Sequence, residues 1–352
     1  MIFLISQEWV NTSGNHAGIK YLCNKLSLEY PSEYESIVIP DYSVGKLTSN
    51  KLFRIISVIL QRLQHKYKER QILRNLKGKC KSEDTIFIME YLDKGYEMFS
   101  FAKKIRNIYP DIRLFCMAHL VPAKLDQMFP VDSDLQRWVL PVDKLFTLGS
   151  SLTSYFIRRG ICENKLVTTF HYVDDYYIKK GPIISQNPPK VIAMGNQVRN
   201  INLLKQIVDK NPKFQFIICQ GVADMSKLFK NNPNVTLIPF VEEPILKELM
   251  DKSDISLNVM EDTIGSNVIV TSLGMGLAMI CSDVGSIKDY CDISNTIFCE
   301  NGNPSSFSEA IRFFEDEKIL QNYREAARLA SKRLSIASFH QLVQNETKSQ
   351  DN

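Results

Sequence analysis

Three stretches combine polar residues with a local pattern that would present them to a ligand. The most informative runs from Asn258 to Asp292 and reads NVMEDTIGSNVIVTSLGMGLAMICSDVGSIKDYCD. Residues Asp254 to Met260 are an apolar strand pattern, and Glu261 to Asn267 form a polar turn containing Gly265 and Ser266. Val268 to Met275 continue as a mostly apolar run of helical length, Gly276 is a stop signal, and Ala278 to Cys281 read as a second buried strand. A helix that begins just after Gly265, Ser266 and Asn267 offers unpaired backbone N–H groups and the positive end of its dipole. That environment suits a phosphate or a sugar hydroxyl. An ordinary βαβ unit has the same pattern, so the stretch alone does not decide between the two.

The second stretch follows the first strand, MIFLIS. Here QEWVNTSGNHAG places Gly14 and Gly18 around Asn15 and His16 at a strand-to-helix turn, with a helix expected from about Ile19 to Tyr30. Loops at the carboxyl edge of the strands are where open α/β sheets bind ligands. The glycines do not form Gly-x-Gly-x-x-Gly, which argues against a dehydrogenase-type cofactor; a purely structural turn fits equally well. The third is His119, at the end of the apolar run IRLFCMAHL. A histidine there sits at the ligand edge of a parallel sheet, or simply caps the strand.

The elements that must position these residues alternate between apolar strand-like runs and helical patterns almost to the end, which predicts doubly wound α/β sheets. A length of 352 residues fits two domains of ordinary size. The composition, 44% hydrophobic and 23% charged, is that of a globular chain. A net charge of +4 is too modest to imply nucleic acid. The eight cysteines are scattered without a Cys-x-x-Cys pair and read as reduced core thiols of a cytosolic protein. MIFLIS is too short for a signal peptide, and no apolar stretch approaches the roughly 20 residues of a spanning helix. The run Lys51 to Lys81 is strongly basic, Glu69 being its only acid, and within it apolar Leu52, Ile55, Ile56, Val58, Ile59, Leu60 and Leu63 precede the basic block. Such a helix suits an anionic membrane surface, or packs its apolar side on its own sheet. The aromatic residues that single-stranded nucleic acid would need are nearly absent from it, Phe53 and Tyr67 apart.

Two segments carry a family resemblance. TSLGMGLAMICSDVGS and the GSNV before it resemble, position by position, the signature of family-4 glycosyltransferases of GT-B fold. So does KLFTLGSSLTSYFIRRGICENKLVTTFHYVDDYYIKK, with Ser150, GICENKLV and HYVDDYY in the family's order. The resemblance implies two Rossmann-like domains facing each other across a cleft. Their expected bounds are an acceptor-binding domain 1–178, a linker 179–190, a nucleotide-sugar-binding domain 191–334, and a terminal helix 335–352 crossing back.

The activity that the resemblance implies is transfer of a sugar, with retention of configuration as in the family, from a nucleotide-diphosphate sugar to a hydroxyl acceptor, without a bound metal or resident cofactor. The most plausible acceptor is a lipid-linked oligosaccharide of bacterial polysaccharide or lipopolysaccharide assembly, handled in the cytoplasm or at the inner membrane face. In the family a basic residue after the strand KVIAMG binds the donor diphosphate, which here makes Arg199 the first candidate and Lys205 the second. Phe240 and Val241 would lie by the base, and the amides of Ser266, Asn267 and Val268 by sugar or phosphate oxygens. His119 would contact the sugar, while the loop Gly14, Asn15 and Gly18 would reach donor or acceptor.

Two departures stand out. The family's two glutamates fall on Thr263 and Thr271, with Glu261 and Asp262 one or two residues early as substitutes for the first. Thr271 would then take the ribose hydroxyls. Those departures motivate a second reading, a non-catalytic GT-B module that binds a sugar nucleotide or a partner enzyme. Nucleotide-sugar epimerases share the fold and are a weaker third.

Overall fold

A computed structural model describes residues 1–8, 15–39, 51–91, 98–195, 198–221 and 224–348; at 51–55, 57–58, 61–62, 64–65 and 98–100 only the backbone is described. The chain divides into two compact units, one of Met1–Leu148, Leu152–Thr169 and Val343–Asn352, the other of Gly149–Ser151 and Phe170–Leu342.

The first unit is built on six parallel strands: β1 (Ile2–Gln7), β2 (Tyr34–Ile39), β3 (Thr85–Ile88), β4 (Arg113–Ala118), β5 (Lys144–Leu148) and β6 (Leu166–Thr169). Their order is β2-β1-β3-β4-β5-β6. Strands covered on both faces read as continuous apolar runs, and Ile2, Phe3, Leu4 and Ile5 are all buried. Rings lock the central strands together: Phe87 of β3 lies 5.9 Å from Phe115 of β4 and 4.7 Å from Phe146 of β5. The end of the terminal helix Ile336–Lys348 closes the same unit. Arg113 donates to the Thr347 carbonyl (2.9 Å), Lys144 pairs with Glu346 (3.1 Å) and Gln344 reaches the Tyr34 hydroxyl (3.3 Å).

The second unit repeats the plan with β7 (Lys190–Ala193), β8 (Gln215–Gly221), β9 (Val235–Pro239), β10 (Ile255–Asn258), β11 (Ala278–Ser282) and β12 (Thr296–Cys299), again all parallel. The order is β12-β11-β10-β7-β8-β9, the Rossmann arrangement in which strand order reverses between β7 and β10. Its core joins Val191, Ile207, Phe216, Leu257, Ile280 and Ile311.

The Pro-rich stretch expected as a linker is laced onto this unit. Asp254, at the start of β10, accepts from the Lys190 amide (2.9 Å) and pairs with buried Arg324 (2.6 Å). Arg324 in turn donates to the carbonyls of Gly276 and Ile184 and to Ser185 Oγ. All eight thiols are free, but Cys162 is exposed rather than in a core. Among the described residues no helix is long and apolar enough to cross a membrane.

Candidate functional site

Open α/β sheets bind ligands outside the carboxyl ends of the strands where strand order reverses. In the second unit that point lies between β7 and β10, and both strands run on into loops that pair there. Arg199 bridges Met260 in antiparallel fashion. The Asn200 amide donates to the Val259 carbonyl (3.1 Å) and the Glu261 amide to that of Val198 (3.0 Å). Asn200 also caps the helix Ile201–Lys210 through its side chain, accepting from the Leu203 amide at 2.9 Å. Arg199 is therefore held on both sides by backbone.

Two of its guanidinium nitrogens lack a counterpart among the described residues. Nε and Nη1 are buried without a hydrogen-bond partner among the described residues. Burial pulls the pKa down from the usual arginine value to about 10. A buried, unpaired guanidinium is costly, and native structures ordinarily give such a group a partner. The site thus fits an anion that the described residues do not supply. Beside it lies a cavity of about 20 Å³, lined by Gly195, Arg199, Ile201, Ile218, Met225 and Leu257. That is room for about one water and far too little for a nucleotide.

Gly195, with φ +83°, explains how other groups reach the guanidinium. A Cβ on it would sit 3.1 Å from Arg199 Nη2 and 3.3 Å from Val268 Cγ2. Arg199 and the start of the helix Asn267–Gly274 therefore converge on one bare backbone position. Ser266 caps that helix, its Oγ accepting from the Ile269 amide (3.4 Å). The amides of Asn267 and Val268 precede the first intrahelical bond and remain open. Asn267 is exposed and Val268 half-buried. A guanidinium beside open helix N-terminal amides is an arrangement that binds phosphate oxygens.

The turn before this helix is fixed by close contacts. Gly265 has φ +95°, and a Cβ there would fall 2.1 Å from Cζ of Tyr290. The Tyr290 hydroxyl donates to the Ile264 carbonyl (3.2 Å) and accepts from the His171 amide (3.1 Å). The Ser286 amide donates to the Thr263 carbonyl (2.7 Å), and Gly285 lets these backbones approach.

The remaining candidates are placed unevenly. Glu261 is exposed; Asp262 is half-buried, its Oδ1 accepting from the Thr263 amide at 2.7 Å. Thr263 is buried and its Oγ1 accepts from the Gly265 amide (3.0 Å). Thr271 is only 6% exposed, and its hydroxyl donates to the Asn267 carbonyl at 2.7 Å. Its hydrogen is thereby turned to its own helix. Lys205 pairs with Asp209 one turn further along its helix (2.5 Å), so it does not reach out as a free cation. Phe240, 55% exposed, and half-buried Val241 follow β9, which is separated from β7 by β8.

In the first unit, His119 follows β4 with Nε2 2.7 Å from the Met89 carbonyl. Burial pulls its pKa down to about 4, so the imidazole is neutral at pH 7 and donates from Nε2. Asn15 and Gly18 begin the helix Ile19–Glu29, the Gly18 amide donating to the Asn15 carbonyl at 2.9 Å. Gly14 lies outside the described residues. The triplet Asp132-Ser133-Asp134 is engaged by arginines, Asp132 with Arg159 and Asp134 with Arg137. Among the described residues no cluster of histidine, cysteine, aspartate and glutamate is placed to hold a metal.

Gly195 and Tyr290 went unnoticed in the sequence as parts of the site. Gly195 follows a strand directly, which is a signal for close backbone approach; Tyr290 gives no signal in sequence.

The two parallel six-stranded sheets, taken with the solved structures below, are those of the GT-B fold. Residues 190–316 match the family model described as Glycosyl transferases group 1. The structure of Anabaena HepE in complex with UDP is similar with a TM-score of 0.71 at 13% identity, covering 99% of this chain and 100% of that one. Sucrose-phosphate synthase from Thermosynechococcus elongatus gives 0.75 at 11% identity, covering 99% and 100%. The lipopolysaccharide outer core galactosyltransferase WaaB gives 0.67 at 13%, with the same coverage. At these identities the likeness is one of fold. No curated protein matches by sequence.

Proposed function

We propose that this chain is a glycosyltransferase that moves a sugar from a nucleotide-diphosphate sugar to a hydroxyl acceptor. The observation that carries the reading is the buried, unpartnered guanidinium of Arg199 beside open helix amides at the switch point of a glycosyl transferases group 1 domain. UDP in the HepE structure supports a uridine nucleotide as the first donor to test. Arg199 and the amides of Asn267 and Val268 take the diphosphate. Phe240 and Val241 follow β9, two strands from β7, and would meet the base. Glu261 and Asp262 are the carboxylates left to hold sugar hydroxyls.

In the reaction the bond from the anomeric carbon to the phosphate oxygen breaks and a bond to the acceptor oxygen forms. The acceptor's proton leaves with the phosphate. Arg199 stabilises the charge that grows on the departing diphosphate. The chemistry needs no resident cofactor and no metal, and retention of configuration follows the family pattern. We assign the acceptor to a lipid-linked saccharide of surface polysaccharide or lipopolysaccharide assembly, with the enzyme in the cytoplasm.

A second reading, a module that binds sugar nucleotides without turnover, is favoured by one observation. Thr263 and Thr271 replace the family carboxylates, and both hydroxyls are engaged within the protein. A thermal-shift screen against UDP-, GDP-, ADP-, CMP- and dTDP-sugars, combined with hydrolysis of a labelled donor, separates the readings. A ligand at about 100 times its Kd stabilises by about 2.7 kcal/mol. A shift abolished by Arg199→Ala together with donor turnover supports the transferase. The same shift without turnover supports the module, and no shift with any donor removes both.

A further inference from the structure

The helix Lys51–Leu76 has two opposed faces. Lys68, Glu69, Ile72 and Leu76 are buried. Ile56, Ile59, Leu60, Leu63 and Tyr67 are exposed, between 40% and 58%. At 3.6 residues per turn the exposed set falls within an arc of about 100°, and the buried set lies on the opposite side. The apolar stripe is therefore not the face by which the helix packs. Further along the same outward arc the stripe turns basic, with exposed Arg70 and Arg74 on it and Lys66 at its edge. These three form no ion pair among the described residues. The one acid of the run, Glu69, is on the buried side and paired with Lys104 at 2.5 Å.

We propose that this outward stripe docks on the surface of an anionic lipid bilayer. Apolar side chains that water must otherwise surround enter the headgroup boundary, and the basic turns meet lipid phosphates. Charge selects the occupant: an uninterrupted positive face complements an anionic surface, whereas a second copy would bring the same charges against it. The helix is not long and apolar enough to cross. It lies along the bilayer instead. The inference deepens the lipid-linked acceptor reading, but it stands on the helix geometry.

The test is sedimentation of the full chain with vesicles of phosphatidylcholine alone and of phosphatidylcholine with phosphatidylglycerol, at low and raised salt. The expected result is binding to the anionic vesicles, weakened by salt. Arg70→Glu with Arg74→Glu should reduce binding at least about tenfold, since each basic residue near such a surface contributes roughly fivefold. Leu63→Ser with Tyr67→Ser should reduce it as well. Unchanged melting temperature and an unchanged donor-induced shift show that the variants are folded and keep their nucleotide site. No binding, equal binding to both vesicle types, or loss of neither kind in the variants overturns the proposal. Self-association through this stripe without vesicle binding overturns it too. Each of these results leaves the donor reading to its own assay.

Discussion

Arg199 holds a positive charge with two buried nitrogens that have no partner among the described residues. Such an arrangement trades stability for binding. Replacing it with Met, which keeps length and removes charge, should raise the melting temperature of the ligand-free protein while abolishing the shift caused by donor. Thermal denaturation with and without nucleotide sugar measures both effects; a destabilised ligand-free variant would mean that the guanidinium has a stabilising partner in solution. His119 gives a second expectation at this scale. Its folded pKa of about 4 lies below the ordinary imidazole value. Between about pH 6.5 and 4 the unfolded chain therefore binds a proton that the folded chain does not. Stability should fall as pH drops through that window, by up to about 3 kcal/mol, and level off below it. Urea unfolding across the window should show a flatter profile for His119→Gln.

At the scale of elements, the turn Thr263–Ser266 presents the helix start, and Tyr290 holds the turn. Gly265→Ala would drive a methyl into the Tyr290 ring and force a left-handed backbone on alanine. We expect a loss of about 2–4 kcal/mol and a larger loss of donor affinity, read by urea unfolding and titration calorimetry. Much of this element was legible in sequence. The turn, the apolar helix run and the following strand were expected within a residue or two of Asn267–Gly274 and Ala278–Ser282, because glycine and serine punctuate an otherwise apolar pattern. Arg199 is singled out only through the family resemblance, since a lone arginine before a helix is ordinarily a surface residue. Its missing partner is not legible, since that depends on what the fold fails to bring near it. The commitment of Thr271 to its own helix and of Lys205 to Asp209 is equally invisible, because a sequence gives a residue's type but not where its hydrogen bonds go. For the helix Lys51–Leu76 the composition predicted an apolar face and a basic character, and only the burial pattern tells which face is turned outward.

For the whole molecule, the buried Asp254–Arg324 pair ties the start of β10 to the stretch that enters the second unit. Removing one member of a buried pair leaves the other uncompensated, so Arg324→Ala should destabilise by about 3–5 kcal/mol. Burial raises the Asp254 carboxyl above its usual range, which works against the charged pair, and hydrogen bonds to Lys190 and Arg324 only partly offset it. A double replacement by apolar residues of similar size should therefore recover part of the loss, as chemical denaturation would reveal.

The division of the chain has a consequence for synthesis. The first unit takes its final segment, Val343–Asn352, from the far end of the sequence. A ribosome delivers the six strands of that unit early, yet Arg113, Lys144 and Tyr34 must wait for Thr347, Glu346 and Gln344 until the whole second unit has been made. The second unit has no such wait. The half made first is thus the half finished last, and a chain arrested before residue 343 would emerge with its later-made portion the more complete of the two.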